Sequence, residues 1–158
     1  MQRQFIDQMT GEEEIPSVLA YDCLIRGFCL KGCMREAIDL MNKMVGCGYF
    51  PVASTFNAVI SGFCTQGKLG SALKIMEDMV GRGCIPDRGS YSPLIDAFCR
   101  MGDIQKAAIL LLQMLQKSII PDGLTWNSVL LCLSEEREWS TRKKMLHANS
   151  LLQWIIET

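Results

Sequence analysis

The sequence predicts an all-α fold, a right-handed α-solenoid of helix-turn-helix repeats 35 residues long. Three observations predict it. Seven positions carry the same residue three times at a constant spacing of 35. Each repeat holds two stretches whose apolar residues fall on one helical face. Strand signals are absent. A single helical hairpin cannot bury its apolar face. Stacked hairpins bury a continuous core, and that stacking is the solenoid.

The recurring residues are Ile25, Ile60 and Ile95, then Phe28, Phe63 and Phe98, then Cys29, Cys64 and Cys99. Gly32, Gly67 and Gly102 follow, then Ala37, Ala72 and Ala107, then Met44, Met79 and Met114, then Pro51, Pro86 and Pro121. An aromatic residue recurs at Tyr21, Phe56, Tyr91 and Trp126. These places cut the chain into repeats at 18–52, 53–87 and 88–122. A degenerate repeat starts over 123–133 with Trp126, Asn127, Val129 and Leu130. It then decays, because Ser134, Arg137 and Asn149 stand where Cys, Gly and Met are expected. Upstream, Met9 to Pro16 has the spacing of Met44 to Pro51, and Phe5 takes the place of Leu40. Residues 1–17 therefore read as the second helix of a truncated repeat.

The second repeat justifies each element. Phe56, Val59, Ile60 and Phe63 fall at i, i+3, i+4, i+7 and make one helical face. Gly67 ends that helix as a C-terminal left-handed residue. Leu69, Ala72, Leu73, Met76, Met79 and Val80 form a second amphipathic helix, which Gly83 and Pro86 end. The small Ala72 lets the two helices approach closely. Pro93 is unusual, because it lies early in the first helix of its repeat. Within the first turn it costs little, whereas deeper it removes a backbone hydrogen bond. Residues 134–158 read as a C-terminal capping helix. Met145, Ala148, Leu152 and Ile155 line one side of it, and Arg142, Lys143, Lys144 and Asn149 the other.

Composition excludes several functions. Hydrophobic residues are 49% of the chain, which argues against disorder. Lys plus Arg is 16 and Asp plus Glu is 17, which disfavours nucleic-acid binding by bulk positive charge. No apolar run approaches the roughly 18–20 residues that span a bilayer, so no membrane is expected. The eight cysteines form no C-x-x-C pair, and the one histidine, His147, lies far from them. No metal and no cofactor are expected, and the thiols read as core residues of a reducing compartment. His147 has no neighbouring carboxylate or cysteine arrangement, and the zinc-deaminase signature is absent. The glycines punctuate repeats and do not form a phosphate loop. The chain therefore reads as non-catalytic, without a small-molecule substrate. Met1 to Glu14 is polar and acidic, and resembles neither a secretory signal nor an organellar presequence.

The run Thr55-Phe56-Asn57-Ala58-Val59-Ile60-Ser61-Gly62-Phe63-Cys64 is followed by Gly67-Lys68-Leu69, Ala72-Leu73, Met79 and Gly83-Cys84-Ile85-Pro86-Asp87. It closely resembles the pentatricopeptide repeat of the P class and is similar to fertility-restorer-like members in plants, against which this chain reads as short or N-terminally truncated. The resemblance covers roughly Phe5 to Leu133. It implies sequence-specific binding of single-stranded RNA, one base per repeat, read by two or three side chains. It also implies a place in organellar RNA processing, stabilisation or translation, in the mitochondrion before the plastid. In that family the residue after the aromatic faces the base, the last residue of the repeat makes a second contact, and the residue two before the aromatic flanks the base plane.

Carried onto this chain, Asn57 with Asp87 implies uracil, and Ser92 with Asp122 implies guanine. In that family the RNA runs parallel to the protein, so the implied dinucleotide is 5′-UG-3′. Asp22 with Val52 leaves its base unreadable, because valine has neither donor nor acceptor. Asn127 stands at the base-contacting place of the partial fourth repeat without a clear partner. The flanking places hold Leu19, Ser54, Gly89 and Leu124. Where the family often has Lys after the recurring Cys, this chain has Leu30, Thr65 and Arg100. Two other readings stay open. One is a protein-binding helical-repeat scaffold, with a protein partner at the C-terminal segment. The other is a truncated copy without independent RNA binding.

Overall fold

The computed structural model describes residues 17–135 of the chain. Residues 1–16 of the helix expected over residues 1–17, His147 and all but the first two residues of the expected capping helix lie outside them. Among the described residues there are seven α-helices and no strand. They are α1 (Val18–Leu30), α2 (Met34–Gly46), α3 (Ala53–Thr65), α4 (Leu69–Gly81), α5 (Arg88–Arg100), α6 (Ile104–Gln116) and α7 (Gly123–Glu135). α7 runs past residue 133, so Ser134 belongs to it.

The repeated Phe-Cys and Gly have a local cause. After α1, the Gly32 N–H donates to the Cys29 carbonyl at 3.0 Å and the Cys33 N–H to the Phe28 carbonyl at 2.9 Å. Gly32 sits at φ +75°, a left-handed conformation that costs a side chain but not a glycine. This pair of bonds is a Schellman motif, which satisfies carbonyls that the helix leaves unpaired. It recurs with Gly67 behind Phe63-Cys64 and with Gly102 behind Phe98-Cys99. The second helices end in the same way behind Met44, Met79 and Met114. Gly48 and Gly83 take the left-handed place there, and Ser118, at φ 59°, takes it in the third repeat.

The chain divides into two compact bodies, Met1–Leu94 and Ile95–Thr158. In the first, α1 packs on α2 and α3, α2 also touches α3, and α3 packs on α4. Tyr21, Ile25, Met44, Phe56, Val59 and Met79 are buried at their contacts. The Tyr21 and Tyr49 rings stand 6.0 Å apart at 47°. Ala37 and Ala72 are fully buried, as close helix approach requires. Consecutive hairpin turns are tied as well, since Gln66 Nε2 donates to the Gly32 carbonyl at 2.6 Å. In the second body α6 packs on α7, with Ala107, Met114, Val129 and Cys132 buried.

Pro93 is the sixth residue of α5, beyond the first turn. It is the costlier of the two positions the sequence allowed. Proline has no N–H, so the Gly89 carbonyl four residues earlier loses its helical donor. None of the eight cysteines is in a disulfide.

Candidate nucleic-acid interface

The fifth residue of each repeat lies on a first helix: Asp22 on α1, Asn57 on α3, Ser92 on α5 and Asn127 on α7. The last residue of each repeat immediately precedes the next first helix: Val52 before α3, Asp87 before α5 and Asp122 before α7. That place is a helix N-cap. A short polar side chain there accepts from a free backbone N–H of the first turn. The residue expected to make the second base contact is thus also the residue placed to cap the next helix.

In the second repeat the two expected residues meet. Asn57 Nδ2 donates to Asp87 Oδ1 at 2.8 Å. Asp87 also caps α5, accepting the Ser90 N–H at 3.2 Å. Ser90 answers by accepting the Asp87 N–H on its hydroxyl at 3.2 Å, a reciprocal capping box. The same Ser90 hydroxyl donates to Asn57 Oδ1 at 2.6 Å. Both ends of the Asn57 amide are therefore held. Gly89 makes the space. A Cβ built on it would lie 2.7 Å from Asn57 Nδ2 and 3.2 Å from Asp87 Oδ1. A side chain at this position would press on the amide of the preceding repeat.

The first repeat is built differently. Asp22 is only 5% exposed. Its Oδ1 accepts from Thr55 Oγ1 at 2.6 Å and from Ser54 Oγ at 3.4 Å. Its Oδ2 pairs with Arg26 Nη2, one helical turn on, at 3.1 Å. The carboxylate is thus engaged within the protein on both oxygens. Val52 is half exposed and makes no side-chain cap bond.

Ser92 is half-buried on α5 in the first body. In the second body Asp122 Oδ1 accepts the Thr125 N–H at 2.8 Å and so caps α7. Asn127 is exposed on α7. Burial holds the Asp96 carboxyl above the usual carboxylate range, and a hydrogen bond with Ser128 works against that shift. Of the flanking residues, Leu19 and Leu124 are largely exposed, Ser54 is turned to Asp22, and Gly89 offers no side chain. Leu30, Thr65 and Arg100 are exposed, so one place in three carries positive charge.

Sequence reasoning missed Thr55, Ser90 and Arg26. A signal for the first two was present: the third residue of successive repeats is Thr55, Ser90 and Thr125, a hydroxyl at the 35-residue period. Among the described residues no three His, Cys, Asp or Glu side chains gather into a metal site. None of the described helices is long and apolar enough to cross a membrane.

Three family models match the sequence: a PPR repeat over residues 15–45, the PPR repeat family over 51–100 and a pentatricopeptide repeat-containing protein over 87–148. The chain belongs to the pentatricopeptide repeat family. Its fold is similar to that of the pentatricopeptide repeat protein PPR10 from maize, with a TM-score of 0.78 at 21% identity. That match covers 98% of this chain and 22% of PPR10, so the chain spans less than a quarter of that protein's length. PPR10 in complex with an 18-nt psaJ RNA element matches over the same shares, with a TM-score of 0.74 at 21% identity. The PPR domain of Arabidopsis thaliana protein-only RNase P 1, in complex with tRNA, matches with a TM-score of 0.77 at 19% identity, covering 98% of this chain and 78% of that one. The fold is thus an all-α helical-repeat solenoid. None of the curated proteins matches this sequence.

Proposed function

We propose that this chain binds single-stranded RNA and reads it one base per repeat, without catalysis, in organellar RNA processing. The observation that carries the reading is the Asn57–Asp87 pair, joined at 2.8 Å on an exposed stretch of the first body. An amide oxygen has two lone pairs and an amide nitrogen two hydrogens. Ser90 and Asp87 use one of each. Ser90 Oγ and Asp87 Oδ1 lie 3.4 Å apart and so take the amide edge on which donor and acceptor stand together, which leaves one N–H and one lone pair on the flanks of the amide for a base. That the similar PPR10 structure holds a psaJ RNA element supports the same ligand class here.

Two base contacts, Asn57 with Asp87 and Ser92 with Asp122, supply about 2–6 kcal/mol before ordering costs. Affinity is therefore expected between tens of micromolar and weaker than millimolar. The test is an NMR titration of the chain with a short oligonucleotide containing UG in a pyrimidine background, against a scrambled strand of equal composition. Shifts at Asn57, Asp87, Ser92 and Asp122 with the UG strand alone support the reading. Equal shifts with both strands remove sequence preference from it, and no shift with either overturns it.

A further inference from the structure

We propose that Ser90 is a positioning residue of this interface: it fixes the Asn57 amide in one orientation, so that the base read by one repeat is specified only with the start of the next repeat in place. The proposal rests on the reading that Asn57 faces a base.

An asparagine amide can turn over, which exchanges its donor and acceptor. Asp87 is acceptor-only when ionised, so the amide nitrogen faces it, at 2.8 Å. Ser90 completes the lock from the other end. Its hydroxyl has a single hydrogen. Of the acceptors around it, Asn57 Oδ1 at 2.6 Å is much nearer than Asp87 Oδ1 at 3.4 Å or Met79 Sδ at 3.6 Å. Ser90 is itself fully buried, so water does not compete for that hydrogen. The capping box with Asp87 holds its place at the start of α5.

The same reach-back occurs one repeat earlier. Thr55 Oγ1 donates to Asp22 Oδ1 at 2.6 Å, again across 33 residues. A helix-capping role alone gives no reason for either hydroxyl to point at the fifth residue of the preceding repeat. The device also explains Gly89, whose missing Cβ leaves the space in which the Asn57 amide lies.

The experiment uses the 158-residue chain and three variants, Ser90→Ala, Ser90→Cys and Ser90→Thr. Cysteine keeps the size and weakens the donor. Threonine keeps the donor, and is the residue present at the matching places Thr55 and Thr125. The first readout is the pair of Asn57 side-chain N–H resonances in the RNA-free chain. They are expected to move toward those of an exposed asparagine in Ser90→Ala and Ser90→Cys, and to stay in Ser90→Thr. The second readout is the preference for uracil over cytosine at the base of the second repeat. It is expected to fall from about fivefold, the worth of one net hydrogen bond, to near unity in the first two variants, with Ser90→Thr restoring it. Unmoved Asn57 resonances, or a full uracil preference in Ser90→Cys, overturn the proposal. If the unaltered chain shows no uracil preference, the base-contact reading falls and takes the specificity half of the proposal with it. The resonance readout then decides separately whether Ser90 holds the amide.

Discussion

The Ser90 hydroxyl and the Asn57 amide oxygen lie 2.6 Å apart and 33 residues apart in the chain. The bond joins the start of one repeat to the fifth residue of the repeat before it. Asp87 closes the ring, since it caps α5 and accepts from Asn57. Stability of the helix start and chemistry of the interface therefore share the same three side chains, and substitutions separate them.

Asp87→Ala removes both the cap and the partner of Asn57. Losing an N-cap side chain costs about 1 kcal/mol. Urea unfolding followed by circular dichroism is expected to show that loss. Asp87→Asn keeps a side-chain oxygen for the cap, so its stability is expected within about 0.5 kcal/mol of the parent. Its RNA preference is expected to change all the same. Equal stability of the alanine variant and the parent would refute the capping role.

Val52 holds the N-cap place of α3 with no bond to offer. Val52→Asn is expected to stabilise the chain by about 0.5–1 kcal/mol. Val52→Asp is expected to gain less. By the geometry of Asn57 and Asp87, its carboxylate would face that of Asp22, and like charges repel. The same denaturation series compares the two. The triple change Asp22→Asn, Val52→Asp and Ser54→Gly copies the Asn57–Asp87 pair and the Gly89 gap into the first repeat, where Thr55 already supplies the hydroxyl. Binding to a strand with one more uracil 5′ of the UG is expected to tighten by about tenfold.

Ser118 occupies a left-handed conformation at φ 59°, where Gly48 and Gly83 stand in the repeats before it. A side chain there crowds the following carbonyl at a cost of roughly 1–2 kcal/mol. Ser118→Gly is expected to recover about 1 kcal/mol, less the extra entropy glycine has when unfolded. A raised denaturation midpoint checks it, and an unchanged or lowered one refutes it.

Burial pushes the Cys29 thiol up from about 9 to about 11. Cys99 rises to about 12, first through burial and then through its neighbour Cys132. Both folded values lie above the unfolded one, so at high pH the unfolded chain has lost protons that the folded chain keeps. Stability is then full below about pH 9 and falls as pH rises through 11 to 12. A denaturation series from pH 7 upward checks this sign. A thiol reagent at pH 8 is expected to modify the exposed Cys23 and Cys47 before the buried Cys29 and Cys99.

Much of the fold is legible because helix ends and apolar faces are local. Phe28, Cys29 and Gly32 form a Schellman end within six residues, and the same three residue types recur at the matching ends after α3 and α5. Periodicity then places Tyr21, Ile25, Phe56 and Val59 on inward faces. Pro93 is where local reading left two costs open, because the first turn of α5 is decided by its cap.

The sequence by itself determined the period, the helical hairpin, its glycine stops and the places of Asn57 and Asp87, since each follows from spacings along the chain. Only the tertiary structure decided what those side chains face. Ser90 reaches back to Asn57 and Thr55 to Asp22, while Arg26 engages the second Asp22 oxygen. Two of these partners lie 33 residues from the group they hold, on a neighbouring repeat. No local pattern specifies which side chains two stacked helices turn toward each other. That is set by packing, which leaves the carboxylate of Asp22 buried and the Asn57 amide in the space that Gly89 keeps open.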